Sequence, residues 1–498
     1  MDLTVLNLAV PQLSADLRPS SAQLLWIVDI YGFVLAGMLI PMGTLGDRIG
    51  RRRLLLMGAA AFGAASVLAA FSRSAAMLIA ARAVLGIAGA TLAPSTLSLI
   101  RNMFTDAHQR SMAIGVWITS YSVGGAIGPL LGGVLLNYFW WGSVFLIGVP
   151  VMLLLLVIGP VLLPEFRDPN ARRLDLLSAT QSLLAVLLVI YGLKQIAQGN
   201  VGWWAALAIA GGVSVGTLFV RRQSRLTDPL IDLGLFRVRA FSVALGSYTL
   251  ATLVVFGVFL FISQYLQLVR GLTPLQAGVR MMPIFLGFIV GSMLTPMLAR
   301  RVGPTTLLAA GLALGALGFA ILATLQVTSG STLLVTAFIA YSLGLAPVFT
   351  LATDMIVGAA PPERAGAASA LSETGSEFGG ALGIAVLGSI GTAVYRGGMG
   401  RAVLHGLPHD AGVVARSTIG GAVAVAGRLP GRGGAELVGA AREAFTRSLN
   451  VTSAISAMMV VVTAIAVVVV LRQARVPATL GPSPEGGDHD ENAGAPMT

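Results

Sequence analysis

Glu373 and Glu377 stand four residues apart in a run, 364 to 394, that carries no other charge after Arg364. At that spacing both carboxyls share one face of a helix. Acids inside an apolar helix are costly to keep and mark ion or substrate pathways. Such a carboxyl is neutral with a proton and negative without it, so an entering cation competes with the proton for the same oxygen atoms. That competition is antiport in its simplest form. Other ionisable groups fall inside apolar runs: Asp29, Arg82, Asp354, and Asp2 in the opening stretch. Asp29 follows Trp26 and precedes Tyr31, so a carboxylate and aromatic faces could meet an organic cation together. Arg82 is expected to pair with an acid or with backbone carbonyls, a structural ion pair being its plainer reading. Asp354, near the end of its run, reads as an interface acid. Trp117, Tyr121, Tyr248 and Phe256 are candidates to line a cavity.

The elements that must position these groups are membrane helices. The 498 residues are 56% hydrophobic and 11% charged, which a soluble protein of this size rarely shows. Runs of about twenty apolar residues recur at 24–45, 54–71, 75–100, 111–137, 143–163, 174–195, 202–220, 241–268, 276–299, 304–326, 331–358, 364–394 and 451–471. With the opening stretch they make about fourteen spans. Arg48, Arg51, Arg52 and Arg53, then Arg101 and Arg110, then Arg167, Arg172 and Arg173 fall in alternate loops, and the later loops keep that phase. Basic residues gather on the cytoplasmic side, so both termini are expected there. The net charge of +11 therefore reports orientation, and no nucleic-acid partner is expected.

The absence of cysteine excludes disulfides and thiol chemistry. No G-x-x-x-x-G-K-[ST] sequence occurs, so no ATP site is expected. No catalytic residue, metal site or cofactor is assigned; the energy source would be a proton gradient. The segment 396–450 reads as an external helical hairpin in which "GAELVGAAREAFTRSL" forms a short amphipathic helix, with a disordered loop as the alternative. Residues 472–498 read as a disordered cytoplasmic tail.

Two further stretches carry conformational chemistry. In "GTLGDRIGRRRLLLMG", residues 43 to 58, Gly43 and Gly46 allow close helix approach, while Asp47, Arg48, Gly50 and Arg51 sit where charges can pair across a closing interface. A positive-inside anchor would explain the arginines but not Asp47. In "YSVGGAIGPLLGGVLL", Gly124, Gly128 and Gly132 form one stripe and Gly125, Pro129 and Gly133 the next. That surface suits either a helix that rocks against its partner or a static close-packed interface, and Pro129 should bend it.

The first of these stretches resembles the loop signature of the major facilitator superfamily. "LIAARAVLGIAGATLAPSTLSLI" is similar to the fourth-helix motif of its proton-coupled members, and the Gly124 to Gly133 stretch resembles the antiporter motif of the fifth helix. "LLWIVDIYGFVLAG" and the opening residues resemble the drug:proton antiporters with fourteen helices, exporters of quaternary ammonium compounds and other lipophilic cations. The resemblance implies an all-α integral membrane protein of the major facilitator fold. Its parts would be an N-terminal bundle (1–163), two inserted helices (174–220) and a C-terminal bundle (241–471). It implies a monomer in the bacterial inner membrane that exchanges protons for lipophilic cations, with Asp2, Asp29, Arg82, Glu373 and Glu377 in coupling or binding and Trp26, Tyr31, Trp117 and Tyr121 at the cavity.

The sequence departs from the family in two places. "RMMPIFLGFIVGSML" lacks the acid some relatives use for bivalent cations, and "ARRVGPTTLL" keeps little of the Gly-Asp signature. A proton-coupled carrier of one metabolite or endogenous antibiotic is the alternative function. The opening stretch, Leu3 to Leu13, would reach roughly 17 Å as a helix, about half of a bilayer core. It has no basic leader and no convincing cleavage site, so it reads as the outer half of a first span cut short before Asp2.

Overall fold

In the computed structural model the chain is helical, with no strand among the described residues. Those residues are 21–167, 175–197, 202–226, 229–401, 409–429 and 432–473, with isolated positions between 6 and 19. Asp2, positions 402–408 of the expected hairpin and 474–498 of the expected tail lie outside them. Helices are what lipid demands, because each satisfies its own backbone donors and acceptors.

The N-terminal helices are α1 (Ser21–Ile49), α2 (Arg51–Ala70), α3 (Ala75–Met103), α4 (Ala107–Tyr138) and, after a 3-10 stretch at Trp141–Gly148, α5 (Val149–Leu162). Then come the inserted pair, α6 (Leu176–Ala197) and α7 (Trp203–Gln223). The C-terminal set is α8 (Arg239–Gln264), α9 (Pro274–Val302), α10 (Pro304–Leu322), α11 (Ser331–Ala359), α12 (Ala365–Arg401), two short helices α13 (His409–Ser417) and α14 (Ile419–Ala426), and α15 (Arg432–Gln473). Twelve of these elements, some taken with an adjoining turn, are long and apolar enough to cross a membrane. The apolar part of α6, Leu177–Leu193, is shorter.

Local chemistry sets the boundaries. Ser74 caps α3, Asp106 caps α4 through the N–H groups of His108 and Gln109, and Thr273 with Gln276 closes a capping box on α9. The last helix differs from expectation. The stretch 434–449 is not a separate amphipathic helix; it fuses with the last span into α15, 42 residues long. No proline or glycine interrupts "TRSLNVTSAIS", so nothing there stops a helix already running.

Within the N-terminal set, α3 packs on α1 and α2, and α2 on α5. Leu6, Ala9 and Leu13 of the opening stretch are buried at helical spacing against Ala65 and Ala69 of α2 and Leu78 and Leu85 of α3. Asp16, close behind, accepts a hydrogen bond from the Trp141 indole at 2.7 Å. The C-terminal set has one continuous core through α8, α9, α10, α11, α12 and α15. The sets meet along two seams: α1 and α3 against α12, and α4 against α9 and α11. Helix α6 lies over the first seam, touching both α1 and α12.

Candidate functional site

Tyr121 of α4 is 54% exposed, yet it stands within electrostatic reach of Tyr31 on α1, Tyr248 on α8, and Glu373 and Glu377 on α12. An exposed ring facing three helices, drawn from both sets, lines an open chamber between them. Trp117, one turn before Tyr121, meets its ring edge-on at 4.8 Å and donates its indole N–H to Thr96 on α3 at 3.1 Å. Across the chamber Tyr248 of α8 is buried near Ser376 and Thr353 and within electrostatic reach of Glu373. The Oε1 atom of Glu373 is shielded from solvent and has no hydrogen-bond partner among the described residues. Glu377 lies one turn further along the same helix. A negative group beside three aromatic faces can hold a cation without full hydration.

The other sequence-predicted residues distribute around this chamber. Arg82 is wholly buried in α3; its guanidinium donates to the Val28 carbonyl of α1 at 3.3 Å and lies over the rings of Tyr31 (5.3 Å) and Phe145 (5.9 Å). A backbone carbonyl is thus one of its partners. Trp26 is 45% exposed and approaches Phe33 at 6.3 Å. Asp29 lies in α1, one residue after the carbonyl that Arg82 contacts, but its side chain and that of Pro129 lie outside the described residues.

The glycine face of α4 is not uniformly in contact. Gly128 and Gly132 are buried, and a methyl at Gly125 would touch Phe285 at 3.0 Å. One at Gly124 or Gly133 would meet nothing within 4 Å among the described residues. No described residue makes a close approach at those two positions. Helix α4 meets α9 tightly nearer its start, at Gly115, where a methyl would stand 2.8 Å from the Ser292 carbonyl.

The stretch 43–53 builds a second site at one end of the chamber. The Asp47 carboxylate accepts hydrogen bonds from the backbone N–H groups of Gly366 (3.0 Å) and Ala367 (3.1 Å), the first turn of α12. A carboxylate from α1 thus satisfies two orphan donors of that helix start and complements its dipole. Arg51 grips Asp47 at 2.7 Å and donates to the carbonyls of Ser98 (3.2 Å) and Pro362 (2.6 Å). Gly43 and Gly366 make this crossing possible, since a methyl on Gly366 would lie 2.5 Å from both the Gly43 carbonyl and Asp47. Gly46 is buried behind them, where a methyl would approach Leu54 at 3.2 Å; Arg48 lies in the last turn of α1.

Two participants escaped the sequence reading. Glu165, beyond α5, accepts hydrogen bonds from the N–H groups of Arg52 and Arg53, both at 3.1 Å, and so caps α2. It reaches them across the backbone of Gly50, whose φ of 110° only glycine adopts readily and whose Cβ would strike the carboxylate. At the second seam Arg110 of α4 pairs with Asp354 of α11 at 2.6 Å, both largely buried. Asp354 is thus an interface acid, as its position near the end of the span suggests. The separations in sequence, 113 residues for Glu165 and 244 for Arg110, explain why local spacing revealed neither pairing.

The chain matches the sequence profile of the Major Facilitator Superfamily over residues 1–384. It is 44% identical to the multidrug efflux pump LfrA of Mycolicibacterium smegmatis, over 95% of this chain and 94% of that protein. It is 38% identical to the methyl viologen resistance protein SmvA of Salmonella typhimurium, over 93% and 94%. Among solved structures, the human organic anion transporter MFSD10 (TETRAN) superposes with a TM-score of 0.59 at 16% identity, over 92% of this chain and 89% of that one, a likeness of fold alone. A polar, aromatic-lined chamber between two helical sets, closed at one end by bonds between them, is transporter architecture, and with these matches the chain belongs to the Major Facilitator Superfamily as a multi-pass membrane transporter and not an enzyme.

Proposed function

We propose that this chain exports lipophilic cations, including quaternary ammonium compounds, from the bacterial cytoplasm in exchange for protons. Both termini would be cytoplasmic, and a monomer suffices because one chain supplies both helical sets. The observation that carries the reading is the unpartnered, solvent-shielded carboxyl oxygen of Glu373, facing aromatic rings of the opposite set. Relatives whose names refer to multidrug efflux and to methyl viologen resistance support the same substrate class.

The mechanism follows from which groups share a rigid element. Glu373 stands seven residues after Gly366 on α12, about 10 Å along the helix axis. A cation loading at Glu373 and Glu377, and the bonds from Asp47 to the α12 N-terminus, therefore act on one body. With those bonds closed, the chamber is sealed at the cytoplasmic end and opens outward, where protons displace the cation from the carboxylates. Breaking the Asp47 and Arg110 contacts lets the halves rock and presents the protonated acids to the cytoplasm. A new cation then displaces the protons. Asp29 and, if it lies in the membrane, Asp2 would add negative charge to the same path, and Arg82 would hold α3 against α1 beside it.

Ethidium and benzalkonium efflux in a pump-deficient host, with and without a proton uncoupler, tests the proposal. Export should stop with the uncoupler and fall at least about tenfold in Glu373→Gln, the loss expected when about 1.4 kcal/mol of differential binding disappears. Uncoupler-insensitive export, or unchanged efflux in both Glu373→Gln and Asp29→Asn, would overturn it.

A further inference from the structure

The inserted pair leaves a furrow that the bundles do not fill. It is a cavity of about 480 Å³, walled by Ser182 and Ala185 of α6 and by Gly216 and Val220 of α7, with Ile40 of α1 among its lining and Arg221 at its end. The wall residues recur at three- and four-residue spacing, so each helix presents one continuous face to the furrow. Gly216 keeps it open: a methyl there would reach only Ala185, at 3.7 Å. Exposed apolar neighbours such as Leu184, Val213 and Leu218 show that the surrounding surface is made for hydrocarbon.

Two features separate this furrow from an ordinary lipid-facing surface. Ser182 is 2% exposed, and its hydroxyl, on the furrow wall, has no hydrogen-bond partner among the described residues. A buried hydroxyl in that position calls for an acceptor. Arg221 is exposed, and its neighbour Arg222 already holds the nearby acid Asp175, at 2.8 Å. Among the described residues no ion pair involves Arg221, which lines the mouth. The depths also match. Ser178 shares the level of the arginines, bonding Arg222 and Gln223, and Ser182 lies one turn deeper, about 6 Å.

We infer that the furrow between α6, α7 and α1 is a binding site for an anionic phospholipid of the leaflet at the Arg221 end. Its phosphate meets Arg221, a glycerol ester carbonyl accepts from Ser182, and an acyl chain fills the space over Gly216 and Ala185. Basic pockets between membrane helices favour anionic headgroups for this reason. The site touches the transport cycle through Ile40, one turn before Thr44 and seven residues before Asp47 on the same helix. It does not depend on the substrate proposed above.

Native mass spectrometry of the purified full-length chain, titrated with phosphatidylglycerol or phosphatidylcholine of matched acyl chains, tests this. The wild type should retain phosphatidylglycerol about fivefold better, the preference that one arginine near a headgroup confers. Arg221→Gln should erase the preference and Arg221→Lys keep it. Gly216→Leu should lower retention of both lipids; should that variant not fold, Ala185→Ile fills the furrow from the other wall. An equal phosphatidylglycerol to phosphatidylcholine ratio in the wild type and Arg221→Gln would overturn the inference, as would unchanged retention in the filled variants. Displacement of neither lipid by ethidium is expected; competition by ethidium would make the furrow a cation site and also overturn it.

Discussion

The two seams that join the helical sets close by different chemistry. At α1 and α12 the acid Asp47 bonds the backbone N–H groups of a helix start, and Arg51 ties the same acid to the Ser98 carbonyl of α3 and the Pro362 carbonyl before α12. At α4 and α11 two side chains, Arg110 and Asp354, meet directly. The difference traces to how each helix start is satisfied. Helix α4 is capped by its own Asp106, so it asks nothing of the other set. The N–H groups at the start of helix α12 take their acceptor from α1. A helix start that is complete only when the seam is closed senses the closing itself, whereas an ion pair senses only the approach of two charges.

The largest effect should come from breaking the borrowed cap. Asp47→Asn leaves Arg51 buried without its counter-charge, a loss of about 3–5 kcal/mol for a buried pair. Transport should fall more than a hundredfold, and spin-label distances between the first turn of α12 and the end of α1 should lengthen. An unchanged distance would show that the cap does not hold the seam. Gly366→Val should act in the same direction, because even a methyl there collides with Asp47 and the Gly43 carbonyl. Gly124→Ala, which meets nothing within 4 Å among the described residues, should leave the closed-seam distance unchanged.

Next in size is the ion pair. Arg110→Ala or Asp354→Ala should each weaken the second seam by about 1–3 kcal/mol, the range for a charge-assisted bond left half-made. The exchange Arg110→Asp with Asp354→Arg should restore much of the lost transport. No exchange can restore the first seam, because backbone donors cannot be swapped. If the exchange fails while each alanine variant is tolerated, the second seam is held by packing and not by charge.

Smaller again is Glu165→Gln, which keeps the shape of the cap on α2 but removes its charge from a half-exposed site. A loss of about 0.5–1 kcal/mol is expected, read as a small drop in melting temperature. Smallest is the pair Asp175 and Arg222, which joins α6 to α7 and crosses neither seam. Slight burial raises the Asp175 carboxyl, but hydrogen bonds from Ser178 and Arg222 outweigh it and leave the acid below its ordinary value. A lowered folded value means that this pair's contribution is complete above the unfolded value near 4 and is lost as pH falls below it. Melting curves of Asp175→Asn should match the wild type at acid pH and lie slightly lower at neutral pH, with no change in the seam distances.

The helices themselves were legible because lipid imposes length, apolarity and loop charge on each span locally. Asp47, Glu373 and Glu377 were legible for the same reason, as charges where charge is costly. The last helix was misjudged at its start because amphipathic and apolar stretches were taken as separate elements, although nothing between them breaks a helix. The roles of Glu165 and Arg110 were hidden because an acid or arginine at a helix end has an ordinary local explanation. Only the partner distinguishes the cases, and the partner lies far away in the chain.

The sequence by itself determined that this chain is a bundle of membrane helices, which spans carry buried charge, and where two glycine-rich faces run. These follow from the free energy of placing each residue in hydrocarbon, which is summed along the chain and needs no fold. Only the tertiary structure decided that Tyr31, Tyr121, Tyr248 and Glu373 share one chamber, that Asp47 completes a helix start on the other set, and that Gly124 has room for a methyl among the described residues while Gly366 is tightly packed. Those outcomes depend on which helix faces meet, and helix packing is fixed by pairs of surfaces and not by the preferences of either one.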